Sequence, residues 1–203
     1  CDNADVIIAI SQETKRDIEK FYFIPESKIR VVYQSCDELY YQPISSQQTE
    51  EVIKKYNLPA DYLLYVGTIE ERKNLLTLVK ALKQTKDIPL VVIGNKRNYF
   101  NKVMDYINTN QLKNRVHFIE RIDHHELPAV YNKAKIFIFP SLFEGFGIPI
   151  IEALTSKVPV ITTAGGCFPE AGGPNSIYID PQNEKQLAEH INYLLNHESA
   201  RIE

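Results

Sequence analysis

Two glutamates, Glu144 and Glu152, bracket the segment Gly145-Phe146-Gly147-Ile148-Pro149-Ile150-Ile151. Before them, Lys135-Ile136-Phe137-Ile138-Phe139 is short, apolar and rich in β-formers, as a strand covered on both faces should be. Ser141 to Ile148 carries two glycines and no continuing period, and reads as a loop. Pro149 suits the first position of a helix, where its missing N–H is an orphan anyway, and it holds Ile148 extended. A helix start here directs N–H groups and partial positive charge into the loop, a site for phosphate. Gly145 and Gly147 let the backbone approach a ligand. Two carboxylates do not suit phosphate itself, but an ionised carboxylate accepts hydrogen bonds from diols. The ligand implied is part phosphate and part sugar. The bland alternative makes Glu152 a complement to the helix dipole, worth about 0.3–1 kcal/mol, and Glu144 a solvated loop charge.

A second cluster lies at Gly67-Thr68-Ile69-Glu70-Glu71-Arg72-Lys73-Asn74. Gly67 can approach a ligand. Arg72 offers a planar fork and Lys73 a point charge, and the two together could neutralise a diphosphate. Taken alone, the four charges Glu70 to Lys73 read better as a surface cluster pairing with itself. Gly94 ends another apolar run and is expected to open the site to a ligand, whereas Lys96 and Arg97 read as surface residues. Cys167 has no nearby histidine and is not read as a thiol nucleophile. His124 and His125 are adjacent, which is wrong for two ligands on one helix face, and read as exposed residues at a helix start.

The string Pro-Ser-x-x-Glu-Gly-Phe-Gly-x-Pro-x-x-Glu-Ala, Pro140 to Ala153, resembles the signature of retaining glycosyltransferases of family 4, which have the GT-B fold. Gly67 followed by Arg72-Lys73-Asn74 is similar to that family's donor-phosphate segment. Many members carry an arginine directly after the glycine; Thr68 stands there, which moves phosphate binding onto Arg72 and Lys73. The resemblance implies the C-terminal, nucleotide-sugar-binding half of a GT-B enzyme that transfers a hexose of mannose or glucose type to a glycan or glycolipid. It implies that Glu152 holds the ribose hydroxyls and Glu144 the hexose 3- and 4-hydroxyls. Arg72, Lys73 and the backbone N–H groups of Phe146, Gly147 and Ile148 would bind the diphosphate, with Gly145 beside the donor. Arg121 and Ile122 fall where the family meets the base, largely through backbone atoms. Glu170 matches a Pro-Glu position of structural or ligand role. No cofactor is implied: a donor such as GDP-mannose or UDP-glucose is the substrate. No metal is implied either, since no Asp-x-Asp motif is present. Another GT-B enzyme, epimerase-like, or a non-catalytic sugar-nucleotide-binding module stays open.

These residues need a scaffold. From Tyr62 onward the pattern alternates strand and helix, which argues for a Rossmann-like parallel sheet with helices on both faces. Strands are expected at Tyr62–Val66, Leu90–Ile93, Val116–Ile119, Ile136–Phe139, Val158–Thr162 and Ile177–Ile179. Helices are expected at about Asn74–Thr85, Phe100–Asn108, His125–Ala134, Pro149–Thr155 and Glu184–Asn196. Asp123 with Glu126 suggests a capping box. Ligands of such sheets bind at the carboxyl ends of the strands, where the candidate residues fall. Upstream, Ala4–Ile10 reads as a buried strand, Ser11 as the cap of a helix with Ile18 and Phe21 facing inward, and Ile29–Tyr33 as a second strand. By resemblance, residues 1–35 are the end of the N-terminal domain and its crossing segment, and 36–203 the donor domain, truncated at its C-terminus. Gln34–Gln48 reads as a polar linker, followed by a helix capped by Thr49.

The 203 residues suffice for one large domain, and 44% hydrophobic with 24% charged residues is ordinary for a globular protein. A net charge of −3 gives no reason to expect nucleic-acid binding. No apolar run approaches the roughly 18 residues of a transmembrane segment. Cys1, Cys36 and Cys167 show no disulfide or metal spacing, so a reducing cytoplasm is the default. The chain reads as a piece of a longer enzyme, peripheral at the inner membrane face if its acceptor is lipid-linked. The isolated piece is expected to bind donor without transferring it, because the acceptor site belongs to the N-terminal domain.

Overall fold

A computed structural model describes residues 3–198. Chain order runs β1 (Ile7–Ala9), α1 (Gln12–Tyr22), β2 (Ile29–Val31), α2 (Ser46–Lys55), β3 (Leu63–Val66), α3 (Leu75–Ala81), β4 (Leu90–Ile93), α4 (Tyr99–Thr109) and β5 (Val116–Ile119). It continues with α5 (Leu127–Lys133), β6 (Ile136–Phe139), α6 (Ile148–Thr155), β7 (Val160–Thr163), α7 (Phe168–Gly172), β8 (Ile177–Ile179) and α8 (Glu184–Asn196). The last six strands form one parallel sheet in the order β5-β4-β3-β6-β7-β8.

Both faces of this sheet are buried, and the side-chain period of two sorts residues between them. Leu63, Tyr65, Leu90, Val92, Ile136 and Ile138 point to one face, under α3, α4 and α8. Leu64, Val91, Ile93, Phe137 and Phe139 point to the other, under α2, α5, α6 and α7. The strand order reverses direction between β3 and β6. In an open α/β sheet that switch point leaves a crevice at the strands' carboxyl ends. Every loop that carries a candidate residue for the polar ligand opens on that edge.

The upstream segment differs from expectation. Among the described residues β1 and β2 pair only with each other, as a separate two-stranded parallel sheet. Its core is small, built on Ala9, Ile24 and Ile29. Val6 and Ile8 are 55% and 65% exposed, so the expected buried strand is buried only at Ala9. Ser11 caps α1 as expected, accepting from the Thr14 amide, but Phe21 is 62% exposed and does not face inward. α2 is capped by Ser45, not Thr49, in a reciprocal box with Gln48. The expected polar linker is anchored: Asp37 caps a 3-10 turn, Glu38–Tyr41, that buries Tyr40 edge-on against Tyr131. Asp123 and Glu126 form no capping box. Asp123 accepts from the His125 amide, while the Glu126 carboxylate is taken by Lys55 and the Tyr56 hydroxyl.

Candidate nucleotide-sugar site

Beyond Val66 the β3 chain keeps pace with β4: the Gly67 amide donates to Ile93 and the Ile69 amide to Asn95. The two backbones run so close here that a Cβ on Gly94 would stand 2.0 Å from the Gly67 carbonyl oxygen. Gly94 is therefore required by its neighbour strand, whatever ligand it also approaches. The chain then makes a 3-10 turn, Glu71–Lys73, and enters α3 through Asn74 in the left-handed region, φ 57 and ψ 32. Asparagine is among the few non-glycine residues found there. Its buried amide donates to the carbonyls of Pro140, at 3.0 Å, and Pro181, at 2.7 Å. One side chain thus ties the turn after β3 to the loop after β6.

The two loops also bond directly. The Arg72 carbonyl accepts from the Leu142 amide at 2.7 Å and from Ser141 Oγ at 3.0 Å. This fixes Glu144. Its Oε1 meets Lys73 Nζ at 2.5 Å and Ser141 Oγ at 2.8 Å, and its Oε2 meets the Arg72 guanidinium at 3.0 Å. Arg72 also pairs with Glu70 at 2.8 Å. Burial on its own would lower the Arg72 pKa; the bonds to Glu144 and Glu70 outweigh it and hold it above its ordinary value. Lys73 lies over the Phe139 ring, 4.9 Å from its centroid. The Lys73 and Glu144 side chains are only 12% and 11% exposed, while Arg72 is 47% exposed. The self-pairing expected of a surface cluster is therefore real but incomplete: the cations reach out of their own segment to Glu144.

Gly147 precedes α6 with φ 116 and has no side chain to cap the helix. Ile148 is the first helical residue and Pro149 the second, one position later than expected. The helix start follows directly on the loop that holds Glu144. Glu152 lies a turn further into α6 and is held differently. Its Oε2 accepts from the Tyr131 hydroxyl at 2.8 Å. Tyr40 faces the same carboxylate, yet its buried hydroxyl closes no hydrogen bond of ordinary geometry among the described residues. Burial raises the Glu152 pKa, with the two tyrosines opposing only in part. One carboxylate is thus set in cations and the other in neutral hydroxyls.

The family model described as glycosyl transferases group 1 matches residues 46–202. The chain belongs to the group 1 glycosyltransferases. It is 28% identical over 206 residues to the O-antigen chain mannosyltransferase B of Escherichia coli, covering 98% of this chain and 54% of that one. Among solved structures it resembles a glycosyltransferase from Rickettsia africae, with a TM-score of 0.87 and 26% identity over 98% of this chain and 56% of the other. It also shares its fold with HepE of Anabaena in complex with UDP and glucose, at a TM-score of 0.86 and 21% identity over 98% and 55% of the two chains. The chain spans about half the length of the curated relatives it matches. The parallel sheet with helices on both faces is the expected one, that of the C-terminal half of a GT-B glycosyltransferase.

In this group 1 glycosyltransferase, Glu144, Arg72 and Lys73 converge beside Gly67 and the Gly145–Ile148 loop. Gly67 lies against Lys73, whose Cδ would be 3.9 Å from an added Cβ. Phe146 is buried, so it contributes to the loop through its backbone. Arg121 and Ile122 follow β5, two strands away from β3; Arg121 is exposed and Ile122 packs on the core. Lys96 pairs with Glu120 at 2.6 Å, the surface role expected of it. Burial pushes the Cys167 thiol up to about 12, and Sγ donates to the Glu144 and Phe146 carbonyls, so it braces the loop. Four supports went unassigned in the sequence: Asn74, Ser141, Tyr131 and Tyr40. The first two were legible in principle, as an asparagine before an apolar helical run and a hydroxyl three residues before Glu144. Among the described residues no cluster of His, Cys, Asp or Glu could hold a metal ion. No helix of the described chain is long and apolar enough to cross a membrane. A groove of about 1020 Å³ lies elsewhere, between α2 and the ends of α5 and α6, and is lined by none of the candidate residues.

Proposed function

We propose that this chain is the donor-binding half of a retaining hexosyltransferase that uses a nucleotide-diphosphate sugar of mannose or glucose type. The observation that carries this reading is the convergence of Arg72, Lys73, Glu144 and the α6 start at the switch point between β3 and β6. The diphosphate lies at the α6 N-terminus within reach of the two cations. Glu152 accepts from the ribose hydroxyls with the oxygen that Tyr131 leaves free, and Glu144 accepts from the hexose. When the bond from the anomeric carbon to the diphosphate breaks, negative charge grows on the leaving group. Fixed cations and backbone N–H groups stabilise that charge without reorganising. Arg121 and Ile122 border the base.

The exposure of Val6 and Ile8 supports reading residues 1–35 as the end of the N-terminal domain, the rest of which would cover them. The acceptor, a glycan or a lipid-linked glycan, binds in that domain, at the cytoplasmic face of the membrane. Calorimetric titration with UDP, GDP, UDP-glucose and GDP-mannose, without metal and then with magnesium, tests the reading. Metal-independent binding of one base, weakened by Glu152→Ala by about 1.5–3 kcal/mol as for a hydrogen bond to a charged group, supports it. Failure of all four to bind at millimolar concentration overturns it for this chain.

A further inference from the structure

The Gly145–Ile148 loop is gripped from outside by the upstream segment. Ser11 Oγ donates to the Gly145 carbonyl at 2.8 Å and Thr14 Oγ1 to the same oxygen at 3.2 Å. Ile10 Cδ1 stands 2.9 Å from where a Cβ on Gly145 would lie. The Tyr33 ring stacks on Phe146, with centroids 5.5 Å apart and planes at 18°. The first turn of α1 is thus seated on the loop. It is kept there by Glu170. The two Glu170 oxygens accept from consecutive amides at the start of α1, Gln12 at 2.6 Å and Glu13 at 3.1 Å. These are orphan donors of a helix N-terminus, and an anion there is favoured by the helix dipole. Glu170 sits in α7, directly after Cys167, whose thiol braces the same loop from inside. α7 and the residue just before it therefore hold both sides of the contact.

We propose that Glu170 is a positioning residue, a latch that registers α1 against the Glu144–Ile148 loop and so fixes the backbone of that loop. Only its effect on ligand binding rests on the nucleotide-sugar reading. The test uses amide hydrogen exchange on the chain and two variants. Glu170→Ala removes the acceptor. Gln12→Pro removes one donor and keeps the helix: proline is accepted at the first helical position, and Ser11, at φ −156 and ψ 163, already has the extended backbone that precedes proline. Exchange at Glu13, Thr14 and Gly145 to Gly147 is expected to rise about tenfold or more in both variants, with β3 and β4 unchanged as the folding control. Unchanged exchange at Gly145 to Gly147 in both overturns the latch. Titration with UDP and GDP follows. A severalfold loss of affinity in both variants is expected, and full affinity with a loosened loop would remove the positioning role. If the unaltered chain binds neither nucleotide, the nucleotide-sugar reading fails while the exchange data still decide the latch.

Discussion

Replacing Glu144 by alanine should expose how strongly the site depends on internal charge pairing. Lys73 would lose the carboxylate 2.5 Å away while its side chain stays 12% exposed. Removing one partner of a buried pair typically costs about 3–5 kcal/mol, because the other charge is left uncompensated. Two features soften this. Lys73 keeps the Phe139 ring, an attraction of roughly 0.5–2 kcal/mol. Arg72 is half-exposed and keeps Glu70, so its lost pair is worth about 0–1 kcal/mol. The expected loss is about 3 kcal/mol, which for a domain of this size lowers Tm by about 6–12 °C. Urea and thermal unfolding measure it directly. Adding Lys73→Met to the same chain should restore most of the loss, since the orphaned ammonium is then gone. A single variant within about 0.5 kcal/mol of the parent, or a double variant that is the sum of two losses, would refute the reasoning.

Two other outcomes follow from particular contacts. Glu152 has its pKa raised by burial, from the ordinary 4.5. Its charge therefore opposes folding once pH rises above 4.5 and through the raised value, and is without effect below. Glu152→Gln should match the parent in Tm under acid conditions and exceed it at neutral pH. An equal gain at every pH would show that ionisation is not the cause. Gly94→Ala should destabilise by about 3 kcal/mol or more, at or above the usual overpacking range, because the clashing atom is the Gly67 backbone. A loss below about 1 kcal/mol in urea would mean that the β3 and β4 ends are not held together as described.

The parts of the molecule visible in its sequence are those where one physical rule dominates. β4, β5, β6 and β8 fall at their expected residues because short apolar runs between turn signals have few other folds. The loop that carries Glu144 was legible because its two glycines end the strand pattern and Pro149 marks a helix start. Where tertiary contacts decide, the pattern was silent. Ser45, Ser46 and Thr49 all offer hydroxyls before a helical run, and only the reciprocal bond with Gln48 selects Ser45. Tyr40 lies among polar residues, and its burial needs the Tyr131 ring beside it. α7 was hidden by the glycines on both sides of five residues. Ala4–Ile10 is apolar enough for an interior strand, but β1 has a single partner and a core of three residues.

The reversal of strand order between β3 and β6 has a mechanical meaning. Arg72 and Lys73 belong to the half-sheet β3-β4-β5, and Glu144 with the α6 start belongs to β6-β7-β8. β3 and β6 share only two register pairs, Leu63 with Ile136 and Leu64 with Phe137, where β3 and β4 share four. The seam therefore has the fewest register pairs of any neighbouring strands in the sheet and lies under the site. A ligand that touches both loops would act as a staple across it, coupling the two halves into one unfolding unit. Occupancy would then be readable far from the crevice, as slower exchange of amides that no ligand atom approaches.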